Sequence, residues 1–182
     1  MSIDTLRTAD ASDAPAIAAL VNKAYRPDPG TAGWTDESHL LAGDRISAIQ
    51  VTEVMARSNS VILVGLKSSA IVACVHVEKA GGNSQIGMLA VHPILQGAGI
   101  GKQMLAHAER HAVENFDAEK FLLRVVTGRL DLVAYYQRRG YRLTGCAIDF
   151  ALAGGVGIPK VPDLKIEVLE KYSNIAVSQD AP

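Results

Sequence analysis

The chain of 182 residues lacks most of the features that commit a sequence to a narrow class. It has only two cysteines, Cys74 and Cys146, set far apart inside apolar runs. That spacing suits neither a zinc site nor a secreted disulfide framework, so both are expected as buried, reduced core residues, and no metal site is expected. Charge of one sign is not in excess either. A formal net charge of -1 gives no basic field to hold a polyanion by counterion release, which disfavours nucleic acid as the main partner. No apolar stretch approaches the roughly 18 residues that would span a bilayer. Met1 to Asp13 carries acids where a signal peptide needs a basic start and an apolar centre. There is no internal repeat. These absences leave a cytoplasmic enzyme or binding protein, partnered by neither nucleic acid nor membrane.

What is present is enough apolar material, 48% of residues, to bury one continuous core. A single domain over residues 1–172 with a flexible tail over 173–182 is expected. Ile3 to Arg7 alternates like a strand, and Asp10 or Ser12 offers a cap for a helix running to about Tyr25, with Ile17, Leu20, Val21 and Ala24 on its buried stripe. Arg26 to Gly43 reads as an ordered loop or short helical turn. Within it, Trp34 has two placements, as a plug of the core or as a wall of an acceptor pocket. Ser47 and Gln50 form a capping box ahead of a short helix carrying Val51, Val54 and Met55. Ser60 to Leu66, Ala70 to Lys79 and Gln85 to Val91 form an antiparallel meander, punctuated by Lys67-Ser68-Ser69 and Gly81-Gly82-Asn83. A helix follows with Ile100, Met104, Leu105, Ala108 and Ala112 on one side, ending near Asn115. Phe121 to Val126 is a continuous apolar run, expected to be buried on both faces and parallel to the Gln85 strand through the helical crossover. Asp131 to Arg139 reads as a helix stopped by Gly140. Tyr141 to Phe150 and Ile166 to Lys171 read as strands separated by the loop Gly154 to Asp163.

Chemistry concentrates between Val91 and Lys102, where a strand meets a helix through Gly97, Gly99 and Gly101. Missing side chains let a ligand approach the backbone, and a first helical turn presents unpaired N–H groups and a positive dipole end, so a phosphate group is the natural guest. A dinucleotide fingerprint fails on spacing, because Gly97 and Gly99 are followed at the third place by Lys102, and Gly99 and Gly101 by Met104. A Walker A loop fails because Gln96 and Gln103 stand where it needs glycine and Ser or Thr.

The pattern that does fit is Gln-x-x-Gly-x-Gly at Gln96 to Gly101, following a strand that ends in Ala90-Val91. With Tyr136-Gln137-Arg138-Arg139-Gly140-Tyr141 downstream, the chain resembles the GNAT family of N-acetyltransferases over roughly Ile3 to Lys171. The resemblance implies a mixed α/β fold, with a twisted sheet of six or seven strands, helices on both faces, and two parallel strands that part near Leu89. It implies acetyl-CoA as cosubstrate. Backbone groups of Leu89, Ala90 and Val91 would pair with the pantetheine arm, and Gln96, Gly97, Ala98, Gly99, Ile100, Gly101 and Lys102 would hold the pyrophosphate. The N–H of Leu89 or Ala90 would polarise the thioester carbonyl, and Tyr136 would be the proton donor, with Tyr135 expected to point elsewhere. The implied reaction is direct acetyl transfer to a primary amine of a small molecule or peptide. The alternative is a non-catalytic coenzyme A-binding sensor. Two positions depart from the family pattern: Gln85 stands where a carboxylate base is frequent, leaving Glu78, His76 or Glu37 to act through water, and Arg129 replaces a frequent Asn. Some relatives pair through their sheets, so a homodimer stays open.

Overall fold

Strand β1 (Thr5–Thr8) leads into a tight turn in which Asp10 accepts from the Ser12 amide and Asp13 from the Asp10 amide. Helix α1 (Ala14–Tyr25) starts there with Pro15 in its first turn, a position where the missing N–H has no helical partner to lose. The structure is a computed structural model that describes residues 3–28, 33–152 and 157–173. The expected flexible tail over 173–182 therefore lies, apart from Ser173, outside the described residues, as do parts of the two long loops. A two-residue strand β2 (Leu41–Ala42) follows, then α2 (Ala48–Met55), opened by the expected reciprocal cap of Ser47 and Gln50.

Three antiparallel strands come next, β3 (Ser60–Lys67), β4 (Ala70–Ala80) and β5 (Asn83–Val91). Helix α3 (Ile100–Phe116) crosses over to β6 (Lys120–Val126), which runs parallel to β5. Then come α4 (Leu130–Gln137), β7 (Arg142–Asp149), the short β8 (Ile158–Pro159) paired with β2, and β9 (Lys165–Tyr172). Among the described residues the main sheet has seven strands in the order β1-β3-β4-β5-β6-β9-β7, and β5–β6 is its one parallel pair.

Two apolar layers sandwich the first half of this sheet. Ile100, Met104, Leu105, Ala108 and Ala112 of α3 and Leu132, Val133 and Tyr136 of α4 close one face. Ile17, Val21 and Ala24 of α1 with Val51 of α2 close the other over Ile62, Val64, Cys74 and Ala90. That second layer stops at β5, which corrects two expectations. Phe121, Leu123 and Val125 of β6 are buried against α3, but Leu122 and Val126 are half-buried and Arg124 is exposed, so the strand alternates instead of being buried on both faces. Cys146 is exposed on β7, an edge strand no helix covers, whereas Cys74 is fully buried as expected. No helix among the described residues is long and apolar enough to cross a membrane.

Candidate active site

The split in the sheet creates the site. Between β4 and β5, His76 faces Gly87 but Cys74 faces Ala90, so β5 carries one extra residue at this point. Met88 takes up the excess with φ 48°, left-handed backbone that a non-glycine residue adopts only where its surroundings impose it. The bulge bends β5 away from β6. Their pairing spans Asn83↔Lys120 to Ile86↔Leu123 and goes no further. Beyond it, Ala90 pairs with Cys74 and the His92 amide donates to Val72, so Leu89 and Val91 turn their peptide groups to the opposite edge, into the gap. Both carbonyls there accept from side chains of the protein: Leu89 O from Tyr25 Oη at 2.8 Å and Val91 O from Gln96 Nε2 at 3.1 Å.

Two cavities open on either side of this gap. The first, about 510 Å³, is bounded by Gly97, Gly99, Gly101 and Lys102 at the start of α3, by Arg138 and Arg139 after α4, and by Trp34 and Tyr135. Gly97 and Gly99 have φ 80° and 84°, and a Cβ built on either meets nothing within 4 Å, so their amides lie open to the cavity. The second cavity, about 410 Å³, is lined among others by Glu37, Arg45, His76, Glu78 and Gln85. Tyr25, Leu89, Leu132 and Tyr136 border both.

Tyr136 is 6% exposed, with its ring edge-on to Tyr135 and Tyr141 at centroid distances of 5.2 and 5.8 Å, and its hydroxyl has no hydrogen-bond partner among the described residues. Burial pushes its phenol above the ordinary value, so it carries its proton at neutral pH. Tyr135 does not point elsewhere, as the sequence led us to expect. It lines the first cavity with the Trp34 ring tilted against it at a centroid distance of 4.9 Å, the Arg139 guanidinium 3.4 Å above its ring, and its hydroxyl 3.2 Å from where a Gly101 Cβ would stand. Trp34 does not plug the core, one of its two expected placements: it is 43% exposed and walls the first cavity, not the second.

Gln96 and Arg129 hold the segment that carries Trp34. Gln96 Oε1 accepts from the Trp34 amide at 2.6 Å while its Nε2 donates to Thr35 Oγ1. Arg129, 5% exposed, donates to the carbonyls of Trp34, Thr35 and Asp36 and makes a two-pronged pair with Asp131. The residue that replaces the family Asn is thus a staple between α4 and the loop before β2.

The candidate bases gather in the second cavity. Gln85 is the cross-strand neighbour of Glu78. His76 Nε2 lies 2.7 Å from Ser60 Oγ, and burial, partly offset by Glu78, lowers its pKa, so it is neutral at pH 7. Glu78 pairs with Arg57 at 3.3 Å, and the buried Glu37 pairs with Arg26 at 2.8 Å. Neither Tyr25 nor Arg45 was marked by any motif; both become visible only when α1 and the loop before α2 fold over the gap. Among the described residues no group of three or more His, Cys, Asp and Glu side chains could hold a metal ion.

A family model described as the Acetyltransferase (GNAT) family matches residues 18–141. Among solved structures, the chain is similar to the ribosomal-protein-alanine N-acetyltransferase from Brucella melitensis, at 20% identity and TM-score 0.68 over 93% of this chain and 99% of that one. It is similar to the ribosomal-protein-S18-alanine N-acetyltransferase from Escherichia coli at 13% identity and TM-score 0.70 over 98% and 99% of the two chains. It also resembles yncA from Salmonella typhimurium, whose structure holds its cofactor acetyl-CoA, at 16% identity and TM-score 0.65 over 98% of each chain. At these identities the likeness speaks for the fold. No curated protein matches the chain significantly in sequence.

Proposed function

The chain belongs to the GNAT acetyltransferase family, and from that premise we propose that it moves an acetyl group from acetyl-CoA directly to a primary amine of a small molecule or peptide. The observation that carries this reading is the pair of cavities that meet across the parted strands, with Tyr25, Leu89, Leu132 and Tyr136 as their common wall. Such an arrangement brings a donor from one side and an acceptor from the other onto one point.

The first cavity fits the coenzyme. The amides exposed by Gly97 and Gly99 at the mouth of α3 suit a diphosphate, with Lys102 at its edge, so Gln96 to Lys102 form the pyrophosphate cradle. Gln96 braces the turn instead of donating to the ligand, its amide being taken by Pro93 O and its side chain by Trp34, Thr35 and Val91. Leu89 and Val91 offer the edge along which the pantetheine arm lies. Bound in this way, acetyl-CoA supplies a thioester as the electrophile. Of the two amides the sequence offered for polarising its carbonyl, Leu89 has the role, because Ala90 faces β4.

Tyr136 Oη, free of protein partners, hands its proton to the sulfur as the C–S bond breaks and the N–C bond forms. The amine's own proton leaves through water toward the polar side of the second cavity, where neutral His76, Glu78 and Gln85 stand. The sensor alternative rests on Gln85 alone, since Arg129 has a structural explanation.

Calorimetry with acetyl-CoA and with free coenzyme A, beside a thiol-release screen of amine acceptors, tests the reading. Replacing Tyr136 with Phe should lower kcat by about 100-fold or more while leaving the coenzyme Kd within about twofold, as expected for loss of a general acid. Its phenol should contribute no limb to the pH profile. No heat with either form of the coenzyme would end the assignment, whereas tight binding without turnover of any amine would leave the sensor.

A further inference from the structure

The second cavity has a charge pattern that selects among amines. Three carboxylates, Glu37, Glu53 and Glu78, line it beside four guanidinium groups, Arg45, Arg57, Arg124 and Arg129. Two of the three acids are already neutralised: Glu37 lies 2.8 Å from Arg26 and 3.8 Å from Arg45, and Glu78 is 3.3 Å from Arg57. A cavity built for a polyamine or another polycation would show the opposite balance, with acids in excess and unpaired.

The cations differ in what they have left to give. Arg129 spends its guanidinium on Asp131 and three carbonyls, Arg57 is half exposed on Glu78, and Arg124 is also engaged. Arg45 is otherwise placed. Its Nε faces Glu37, its guanidinium sits 5.6 Å from the centre of the Tyr25 ring, and its two terminal nitrogens hydrogen-bond to nothing among the described residues. The side chain is 29% exposed, and its backbone is fixed by Asn22, whose Oδ1 accepts from the amides of Arg45 and Ile46 at 2.7 and 3.1 Å while Nδ2 donates to Ile46 O. A planar fork with two free ends, held by its neighbours beside the tyrosine that touches Leu89, matches a carboxylate.

We infer that the acceptor is an amine bearing a carboxylate a few bonds from its nitrogen, of the amino-acid type, and that Arg45 holds this carboxylate while the amine reaches the common wall of the two cavities. The inference rests on the acetyltransferase reading and narrows it. Arg45 thereby determines specificity without touching the reacting atoms.

The test compares amino acids of varied side chain with their carboxamides, with spermidine as a polycationic control, on the full chain at saturating acetyl-CoA. Acids should be used about tenfold or more better than their amides in kcat/KM, the effect expected of a charge-assisted hydrogen-bonded pair. Arg45→Gln should abolish that preference by raising KM for the acids with kcat nearly unchanged, and Arg45→Lys should restore part of it. Melting temperature and acetyl-CoA calorimetry on the same samples report whether each variant is folded and still binds the coenzyme. Should the folded wild type acetylate amides or spermidine as well as the acids, or Arg45→Gln keep the preference, the inference falls and the acetyltransferase assignment stands. Failure of the wild type to bind acetyl-CoA overturns both.

Discussion

Gly99 caps the N-terminus of α3 with φ 84° and ψ 0°, and a methyl group added to it meets nothing within 4 Å. Its requirement is therefore conformational: an L-residue in this region loses roughly 1–2 kcal/mol, and Asn, which visits it more readily, loses less. Thermal denaturation should rank wild type above Gly99→Asn and Gly99→Ala lowest. If the diphosphate lies on this turn as proposed, coenzyme affinity should drop in both variants by more than any change in fold stability explains, because a side chain would then stand where Gly99 leaves the backbone bare. Equal melting temperatures for the three proteins would contradict this account. Gly101 is glycine for another reason, the approach of Tyr135 Oη to 3.2 Å from its would-be Cβ. The sequence exposed all three glycines through their spacing, since backbone access leaves a mark in composition. It gave no hint of Met88, whose left-handed backbone is imposed by the mismatch between β4 and β5 and not by its own side chain. Tyr135 was misread for a related reason: successive residues of a helix point about 100° apart, but the cleft wraps far enough around α4 to take both tyrosines.

Helices and strands with one buried face were legible because each writes its period into the sequence, as α3 does with Ile100, Met104, Leu105, Ala108 and Ala112. The segment before β2 was not, because its order comes from partners remote in the chain. The Trp34 amide finds Gln96 and the Trp34 carbonyl finds Arg129, 62 and 95 positions away. No local pattern encodes such pairs. The dependence is testable at Arg129. Substitution by Ala leaves the carbonyls of Trp34, Thr35 and Asp36 without their donor and should destabilise the protein by roughly 2–4 kcal/mol. Trp34 is the one tryptophan of the chain, so its fluorescence reports the segment directly. Emission of Arg129→Ala should shift to the red well below the melting temperature, as the indole leaves Tyr135, and coenzyme affinity should weaken with it. A variant that melts early yet keeps native emission until it does would show that Gln96 suffices to hold the loop.

The whole molecule is two half-sheets, β1-β3-β4-β5 and β6-β9-β7, joined along four residue pairs and spread apart beyond them. Helical layers cover both faces of the first half, while Leu40, Leu41 and Phe150, none of them on a helix, pack on Ile166 and Val126 of the second, so the gap between the halves opens toward α3 on one side and toward the second cavity on the other. A sheet interrupted in this way leaves main-chain groups in its middle that a continuous sheet would pair, and a ligand with amides of its own can complete the missing ladder. This predicts a residue-by-residue pattern in amide hydrogen exchange. Leu89 and Val91, turned into the gap, should exchange fast in the free protein and slow by about tenfold or more when acetyl-CoA binds, as opening at the gap is suppressed. Ala90, turned toward Cys74 on β4, and Ser84 to Ile86, within the joined segment, should be protected in both states. The alternation is what makes the measurement decisive, because general stiffening on binding would slow neighbours together. If Ala90 changes with its neighbours, or Leu89 stays fast at saturating acetyl-CoA, the coenzyme does not lie along this edge.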